Sequence, residues 1–522
     1  MTEPNTTVET ADREAIVLAD RVVPGGFFLP RTSTQARTPF AATAHDHAAD
    51  IRHCCTYAGG GSSIRTELMA ILDTAQEKIF VATLYLSDTQ VRQALLNAAD
   101  RLRGGVYVLS ALDDKGLDEA INKVEDDTEI DKQTEYRNFR ELTRHGIYVR
   151  GYPGLHAKYV VVDDRVALVS SANLVTRSFN KIGENGVVVI EPAAVTSLAR
   201  LFGRLWQESP WEMPPDAKHY AVEESREVGS RIRINTPAGN GPVWTYSDQL
   251  TIQAAIYDII EQAESDLILA TYSIANMTHG LPGMVAHPEL LFEPVCRAIE
   301  RGVRVRMLLR GRNQVRASRI EATAFAEAGV EIYADQLNHA KGVVADGRRG
   351  AVFSANFETD HGLTGGIEVG VRLDETAALA EVLRYYEHVM TEADMTFVRD
   401  ARLGDLAEQL DRNERHLHRW PLPPAIEVAV DDASWKSLAE QNGPALYEQI
   451  GDSPITLSSG RDRWLLAPTG GQGWILNRQD DSRTQRRAAE VLDTWLTARR
   501  KPAKDVRRGL CPTTLLRKSD VV

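Results

Sequence analysis

The sequence predicts an α/β protein with two tandem halves, each a mixed β-sheet flanked by helices, related by a pseudo-two-fold axis. A small α+β module is predicted to follow. Three observations support this fold class. One polar motif occurs twice in the 522 residues at identical internal spacing. The same alternation of helical and strand-like segments precedes both copies, as expected for repeated supersecondary units. From about residue 394 the pattern changes to charged and Pro-rich segments.

The composition is that of a globular protein large enough for several domains. The chain is 43% hydrophobic and contains four cysteines without paired metal-type or disulfide-type spacing. No run of about 20 apolar residues predicts a membrane-spanning helix, and the polar, acidic first residues differ from a signal peptide. We therefore expect a cytoplasmic, bacterial-style protein. The net charge of −13 argues against binding nucleic acid with the whole surface, but not against a local basic groove.

The elements of the two halves follow one another in the same order. In the first half, helical spacing at 65–76 precedes an apolar strand at 78–86, and a second helix and strand follow up to residue 109. An acidic insertion at 113–131 is interpreted as a solvated helix. In the second half, helices at 250–264, 291–300 and 320–328 alternate with strands at 267–272, 303–309 and 330–333.

We divide the chain into four parts on these patterns. Residues 1–62 are interpreted as a partly ordered N-terminal leader, 63–220 as the first half and 221–393 as the second half. Residues 394–522 form the predicted accessory module, with a hairpin at 463–476, a helix at 486–500 and a basic tail. The tail is interpreted as solvated, with a nucleic-acid arm as the alternative, and the module as a possible protein-binding site.

Each half carries the same five polar side chains. They are His156, Lys158, Asp163, Ser171 and Asn173 in the first copy, and His339, Lys341, Asp346, Ser354 and Asn356 in the second. An apolar run after each lysine predicts a buried strand, so histidine and lysine project from one face. A turn at the aspartate brings serine and asparagine back toward that face. Ammonium and amide donors hold phosphate oxygens, and an imidazole can attack or transfer a proton.

These motifs resemble those of the phospholipase D superfamily, whose signature is His-x-Lys-x4-Asp followed by a Gly-Ser-x-Asn-like segment. Both copies match the His-x-Lys-x4-Asp and Ser-x-Asn parts, while Ser170 and Phe353 replace the usual glycine. Glu184 and Glu368 lie where the family often carries a glutamate. The resemblance covers roughly residues 64–373. It implies two phospholipase D-like sandwich halves that face each other, so that one monomer suffices for an active site.

The resemblance implies a phosphodiesterase that forms a covalent phosphohistidine and uses neither a metal nor a cofactor. One imidazole attacks phosphorus, and the other protonates the leaving oxygen and then activates water. The resemblance favours His156 as the nucleophile and His339 as the general acid. The oxygens of the phosphate are expected to be held by Lys158, Lys341, Asn173 and Asn356.

Six further residues are expected to support these groups. They are Asp163, Ser171, Glu184, Asp346, Ser354 and Glu368. The two glutamates are predicted to hydrogen-bond the far imidazole nitrogens and to select their tautomers. The two aspartates are interpreted as turn residues rather than phosphate contacts.

The motifs indicate the type of reaction more clearly than they indicate the substrate class. A nuclease is the preferred interpretation, because a run of arginines suggests a track for a phosphate backbone. The arginines are Arg304, Arg306, Arg310, Arg312 and Arg316. A solvated strand edge explains them equally well.

Two other functions remain open. The apolar insertion at residues 274–292 suggests bilayer contact or a lid, and with it a phospholipid hydrolase or transphosphatidylase of the phospholipase D or cardiolipin synthase type. Phe353 leaves open a third class, a catalytically silent interaction module. Turnover of any phosphodiester would exclude that class.

Overall fold

The chain forms two compact units in a computed structural model. The larger comprises residues 33–310 and 324–394, and the smaller comprises residues 1–32, 311–323 and 395–522. The structure describes residues 8–9, 22–31, 37–42, 49–60, 62–113, 132–216, 222–226, 228–236, 239–278, 290–312, 316–402, 405, 455–459, 462–468, 473–478 and 513–517. Among these residues, no helix has both the length and the apolar character needed to cross a membrane.

A nine-stranded mixed sheet forms the first half. Across the sheet its strands are Glu223–Glu224, Trp211–Glu212, Tyr148–Gly151, Val106–Ser110, Ile79–Ala82, Tyr159–Val162, Val166–Ser170, Glu184–Val189 and Ile51–Thr56. Tyr148–Gly151, Val106–Ser110 and Ile79–Ala82 run parallel, and the strands of the motif pair antiparallel. The edge strand Ile51–Thr56 belongs to this sheet, although the boundary predicted at residue 62 placed it in the N-terminal leader.

Five helices among the described residues accompany this sheet. They are Ser63–Asp73, Thr89–Ala99, Lys132–Arg144, Thr176–Asn180 and Pro192–Glu208. Three begin at side chains that accept hydrogen bonds from otherwise unpaired backbone N–H groups, namely Ser62, Asp88 and Glu191. Apolar residues at helical spacing, such as Leu198, Leu201 and Leu205, are fully buried. Caps and apolar spacing together explain where these helices form.

The second half repeats the architecture of the first. Eight strands of the larger unit form its sheet, in the order Gln249–Leu250, Gly241–Tyr246, Glu368–Arg372, Arg349–Phe353, Gly342–Ala345, Asp266–Ala270, Arg304–Leu309 and Glu331–Ala334. Ile274–Ala275 pairs separately with Phe357–Glu358. The helices after residue 250 are Thr251–Glu261, Phe292–Glu300, Arg316–Glu327, a π-helix at Thr359–Leu363, and Ala377–Glu392. Taken from Glu368–Arg372 to Glu331–Ala334, the last six strands correspond to those of the first sheet taken from Glu184–Val189 back to Tyr148–Gly151. This correspondence confirms the predicted fold of two related halves.

The two halves meet along a seam with two-fold character. Leu155 pairs with Ile367, and the equivalent residues Asn338 and Gly183 pair in the same way. One apolar cluster contains residues from both sheets, including Val169 and Val344, so the halves share a continuous core. The residues next to the two motif histidines therefore lie at the junction of the halves.

The smaller unit contains two groups of strands. Val22–Pro30 pairs antiparallel with Met395–Arg402, with an irregularity between Pro24 and Phe27. A five-stranded sheet consists of Val8–Glu9, Ile455–Ser459, Asp462–Pro468, Gly473–Arg478 and Thr513–Arg517. The hairpin predicted at 463–476 is present in this sheet. The helix predicted at 486–500 and most of the basic tail lie outside the described residues.

Candidate active site

Each motif occupies a β-hairpin whose ends carry the polar side chains. Lys158 directly precedes the buried strand Tyr159–Val162, and its carbonyl accepts a hydrogen bond from the Ser170 N–H at the end of the returning strand. This pairing places Ser171 and Asn173 just beyond the lysine. Strand pairing of Gly342–Ala345 with Arg349–Phe353 does the same in the second half. The hairpins predicted from the sequence therefore bring each histidine, lysine and asparagine to one end of a sheet.

The aspartate of each motif holds the turn that precedes a neighbouring strand. Asp163 accepts hydrogen bonds of 2.7–2.8 Å from the N–H groups of Gln76, Glu77 and Lys78. Asp346 accepts equivalent bonds from residues 264–266, and despite its burial these donors lower its pKa to about 2. Both aspartates have φ near +53°, a conformation that asparagine and aspartate tolerate. Their carboxylates serve the turn.

The glutamates bind the histidines of the opposite half. Glu368 Oε1 lies 2.6 Å from His156 Nδ1, and Glu184 Oε2 lies 2.9 Å from His339 Nδ1. Both carboxylates are fully buried. A carboxylate accepts a hydrogen bond from Nδ1–H and so leaves Nε2 as the reactive nitrogen. Each half therefore orients the imidazole of the other.

The serines of the motifs anchor these glutamates from their own half. Ser171 Oγ donates to Glu184 Oε2 at 2.5 Å, and Ser354 Oγ donates to Glu368 Oε2. Backbone hydrogen bonds also connect the two halves, because the N–H of His156 donates to Ile367 O at 3.0 Å. The equivalent N–H of His339 donates to Gly183 O at 2.8 Å. The seam between the halves thus carries one symmetric network.

The two lysines, equivalent in sequence, have different surroundings. Lys158 Nζ donates to the carbonyl oxygen of His156 at 2.5 Å. Lys341 Nζ instead lies 3.2 Å from both ring nitrogens of His339. Both lysines are buried. In the second half the ammonium therefore lies directly against the imidazole of its own motif.

Burial shapes the ionisation of these groups. It lowers the pKa of His339 to about 4, with Glu184 opposing and Lys341 adding to the effect. The pKa of His156 is lowered for the same reasons, with Glu368 opposing. Burial works to raise the pKa values of Glu184 and Glu368, but the facing histidines and the lysines hold them below their ordinary range. The site thus combines ionised carboxylates with imidazoles that bind protons weakly.

We expect the activity on bis(4-nitrophenyl) phosphate to fall above about pH 8. Burial lowers the pKa of Lys341 to about 8, and only its ammonium form neutralises a bound phosphate. Because 4-nitrophenolate leaves without a proton, the alkaline limb of kcat/KM should report this lysine, falling about tenfold per pH unit. Lys78→Gln, at an exposed ion pair with Asp164, serves as the control and should keep the limb. A profile that stays flat to pH 10 would contradict this assignment.

The asparagine amides are available at the same end of the sheets. The side-chain oxygens of Asn173 and Asn356 are buried and have no hydrogen-bond partner among the described residues. Buried amide oxygens are usually paired, so an unpaired one next to His and Lys can accept a hydrogen bond from a hydroxyl group of a ligand. Neither side-chain oxygen contributes a hydrogen bond to the fold of the described residues.

The replacements of the family's usual glycine are accommodated inside the sheets. Phe353 is buried and pairs across the strands with Gly370, and its ring centroid lies 6.2 Å from that of Phe357. Ser170 pairs with Gly186 in the same manner. Because a glycine faces each replacement, the larger side chain fits without displacing the polar cluster. Phe353 therefore gives no support to a catalytically silent module.

The arginines predicted to bind nucleic acid do not form one open track. Arg304 donates to both carboxylate oxygens of Glu331, and Arg306 does so to Asp266. Arg310 is buried and lies over the ring of Tyr272, and Arg312 is half-buried. The side chain of Arg316 lies outside the described residues.

Two groups near the second motif were not predicted from the sequence. The ring of Tyr272 lies edge-on to His339, with centroids 4.8 Å apart. Asp335, four residues before His339, accepts hydrogen bonds from Arg37 Nε at 3.1 Å and from the hydroxyl of Tyr57 at 2.7 Å. Burial raises the pKa of Asp335 to about 6, against the effect of Arg37. Both groups involve residues far apart in the chain, so spacing alone carried no signal.

Comparisons with known proteins point to one family. The family model described as cardiolipin synthase, PLD-like domain, matches residues 68–206 and 256–390, together just over half of the chain. Cardiolipin synthase A of Pectobacterium carotovorum is 27% identical over 217 residues, 39% of this chain and 41% of that protein. The corresponding protein of Yersinia pseudotuberculosis is 29% identical over 219 residues, with the same coverage of each chain. The match thus spans about two fifths of the length of these curated relatives.

A solved structure supports the fold independently. The crystal structure of phosphatidylserine synthase from Haemophilus influenzae superposes with a TM-score of 0.50 at 14% identity, covering 73% of this chain and 95% of that one. No group of three or more potential metal ligands occurs among His, Cys, Asp and Glu in the part of the chain that the structure describes. The two segments matched by one family model, the repeated fold and the paired His-Lys sites agree, and the chain belongs to the phospholipase D superfamily, in its family of cardiolipin synthase-type domains.

Proposed function

We propose that this protein transfers a phosphatidyl group from one phospholipid to the hydroxyl of another, as a phospholipid synthase of the cardiolipin synthase type. The observation that carries this proposal is the reciprocal site, in which each buried glutamate orients the imidazole of the other half. Such a site suits two-step transfer through a covalent intermediate. The relatives named cardiolipin synthase A supply the substrate class.

The two imidazoles would divide the reaction between them. In the first step, Nε2 of one imidazole attacks phosphorus, the bond from phosphorus to the leaving oxygen breaks, and the other imidazolium gives that oxygen its proton. In the second step, the now neutral imidazole takes a proton from the acceptor hydroxyl. The acceptor oxygen then attacks phosphorus and the P–N bond breaks. With water as the acceptor, the same steps hydrolyse the substrate.

The order of the histidines is a separate question. The resemblance assigns the attack to His156. The charges around the rings favour the reverse order, because Lys341 lies 3.2 Å from both ring nitrogens of His339 and opposes its protonation. In this order the neutral His339 attacks phosphorus, and His156 gives its proton to the leaving oxygen. The trapping experiment described in the Discussion distinguishes the two orders.

The preference for a nuclease has less support than the lipid function. The expected backbone track depended on arginines that are ion-paired or buried, namely Arg304, Arg306 and Arg310. Exposed cations bind nucleic acid by releasing counterions, and an arginine already paired with a carboxylate contributes less to this effect. The comparisons name phospholipid synthases. We therefore place nucleic acid second as a substrate.

The apolar segment at 274–292 gives no direct evidence of membrane contact. Ile274, Met277, Leu290 and Leu291 are buried, so they contribute to the core rather than to an exposed surface. Residues 279–289 lie outside the described part of the chain. Polar replacements at Leu291 would therefore be expected to destabilise the fold, and they would not report on lipid binding.

Incubation with vesicles or mixed micelles of headgroup-labelled phosphatidylglycerol tests the proposal. We expect release of labelled glycerol together with formation of a lipid in which two phosphatidyl groups share one glycerol. Thin-layer chromatography separates the products. His156→Asn, which lacks one of the two imidazoles, should form neither product. A parallel reaction with a labelled single-stranded oligonucleotide is the comparison, and its cleavage without any lipid product would overturn the proposal.

A further inference from the structure

The two halves differ at one pair of positions beside the lysines. Strand register makes Arg310 equivalent to Ala111, because Leu308 and Leu109 receive equivalent hydrogen bonds from Thr271 and Thr83. By the same register, Tyr272 is equivalent to Leu84. The second half thus carries a guanidinium and a phenol where the first half carries small or aliphatic side chains.

Tyr272 brings the extra cation to the second half-site. The carbon at the centre of the Arg310 guanidinium lies 5.3 Å from the centroid of its ring, and Lys341 Nζ lies 5.5 Å from the same centroid. The ring of His339 is in edge contact with it. Three functional groups therefore surround one aromatic ring, and two of them are cations held over a π-face.

The charges around the Tyr272 ring also differ from those at the equivalent place in the first half. The charge of Arg310 contributes to lowering the pKa of Lys341, after the larger effect of burial, whereas Glu358 opposes it. Glu358 accepts a hydrogen bond from Ser273. Arg310 itself is only 7% exposed. The planar fork of donors in a guanidinium matches the oxygens of a phosphate.

We propose that Arg310 and Tyr272 form a second phosphate subsite, which holds the phosphodiester of the acceptor phospholipid next to the reacting phosphate. This inference rests on the proposed function, since transfer between two phospholipids brings two phosphates into one cleft, separated by a glycerol. Lys341 holds the reacting phosphate, and Arg310, which contacts the same Tyr272 ring, holds the second. The first half, with Leu84 and Ala111, accommodates the neutral glycerol that leaves.

Acceptor competition tests this subsite without any lipid. The enzyme is loaded with bis(4-nitrophenyl) phosphate, and glycerol and sn-glycerol 3-phosphate compete for the same covalent intermediate. Chromatography measures the ratio of the two transfer products. Any effect on formation of the intermediate cancels in that ratio, because both acceptors draw on one pool. The wild-type protein should prefer the phosphorylated acceptor.

Arg310→Gln should reduce that preference about 10- to 100-fold, the range expected for lost charge-assisted hydrogen bonds. Arg310→Lys should reduce it less, because the charge remains and the fork is lost. Tyr272→Leu, which installs the first-half residue, should also reduce it. The matched control is Arg306→Gln, whose arginine pairs with Asp266 and should leave the ratio unchanged.

An unchanged ratio in soluble, folded Arg310→Gln would overturn the subsite, and so would a wild-type protein that prefers glycerol. These results are distinguishable from a failure of the proposed function. That failure would appear as wild-type protein that forms no lipid product from phosphatidylglycerol, whatever the acceptor ratio. Phosphatidylglycerol as a third competitor then tests the lipid source, since its share should fall in Arg310→Gln in parallel with that of glycerol 3-phosphate.

Discussion

His156→Asn and His339→Asn should each lower kcat for phosphodiester turnover by about 10⁴-fold or more, and the double variant should be no worse. Groups that act as one unit show this non-additivity, because losing either imidazole leaves the other without its step. The exposed His145, directly after the helix Lys132–Arg144, provides the control, and His145→Gln should retain full activity. Thermal unfolding should show that all four variants remain folded.

Rapid quenching with a labelled diester reveals which imidazole carries phosphorus. The variant that lacks the nucleophile should show no acid-labile, alkali-stable adduct, whereas the variant that lacks the other imidazole should accumulate it. Label retained in His156→Asn would establish His339 as the nucleophile, as the surrounding charges favour, and label retained in His339→Asn would establish the order expected from the resemblance. Near-normal turnover by either single variant would contradict a shared site.

Glu184→Gln and Glu368→Gln should each lower kcat by about 10²- to 10⁴-fold with little change in KM. An amide of the same shape can present its NH₂ to Nδ1, which favours the wrong imidazole tautomer and removes the charge that stabilises the imidazolium. Glu141→Gln, on the surface of the helix Lys132–Arg144, should have no such effect. Steady-state kinetics on bis(4-nitrophenyl) phosphate provide the measurement.

Because each glutamate contacts the histidine of the other half, we expect each glutamate variant to share its defect with one histidine variant. Glu184→Gln should impair the same chemical step as His339→Asn, and Glu368→Gln the same step as His156→Asn, although each pair is separated by more than 150 residues. The adduct pattern after quenching reports this pairing. A merely structural role would lower the amount of folded enzyme without matching either pattern. Adduct patterns that pair each glutamate with the histidine of its own half would be inconsistent with this geometry.

The arrangement of each half-site was predictable from the sequence because it depends on local spacing. The side chains of a strand alternate, so His-x-Lys determines that both groups leave the same face. A hairpin returns the chain over a few residues, so Ser-x-Asn reaches that face as well. The aspartates were correctly interpreted as turn residues, because aspartate suits a turn and a positive φ. Repetition of the whole pattern predicted two equivalent halves and a site between them.

Local patterns were insufficient where pairing with distant residues decides the outcome. The arginines after residue 303 look alike in the sequence, yet Arg304 and Arg306 pair with carboxylates from neighbouring strands while Arg310 is buried against Tyr272. Strand Ile51–Thr56 lacks a clear boundary signal and joins the first sheet by pairing with Glu184–Val189. Neither result follows from periodicity, because each depends on which strand lies alongside.

Spacing in the sequence was enough to predict a duplicated α/β protein with two His-Lys half-sites, since the motif residues lie within 18 positions of one another in each copy. The three-dimensional structure was needed to show that Glu184 orients His339 and Glu368 orients His156. It also decided that the half-sites are unequal, with Tyr272 and Arg310 beside only one lysine. The physical reason is that hydrogen bonds and burial act across the seam, between side chains that no sequence spacing connects.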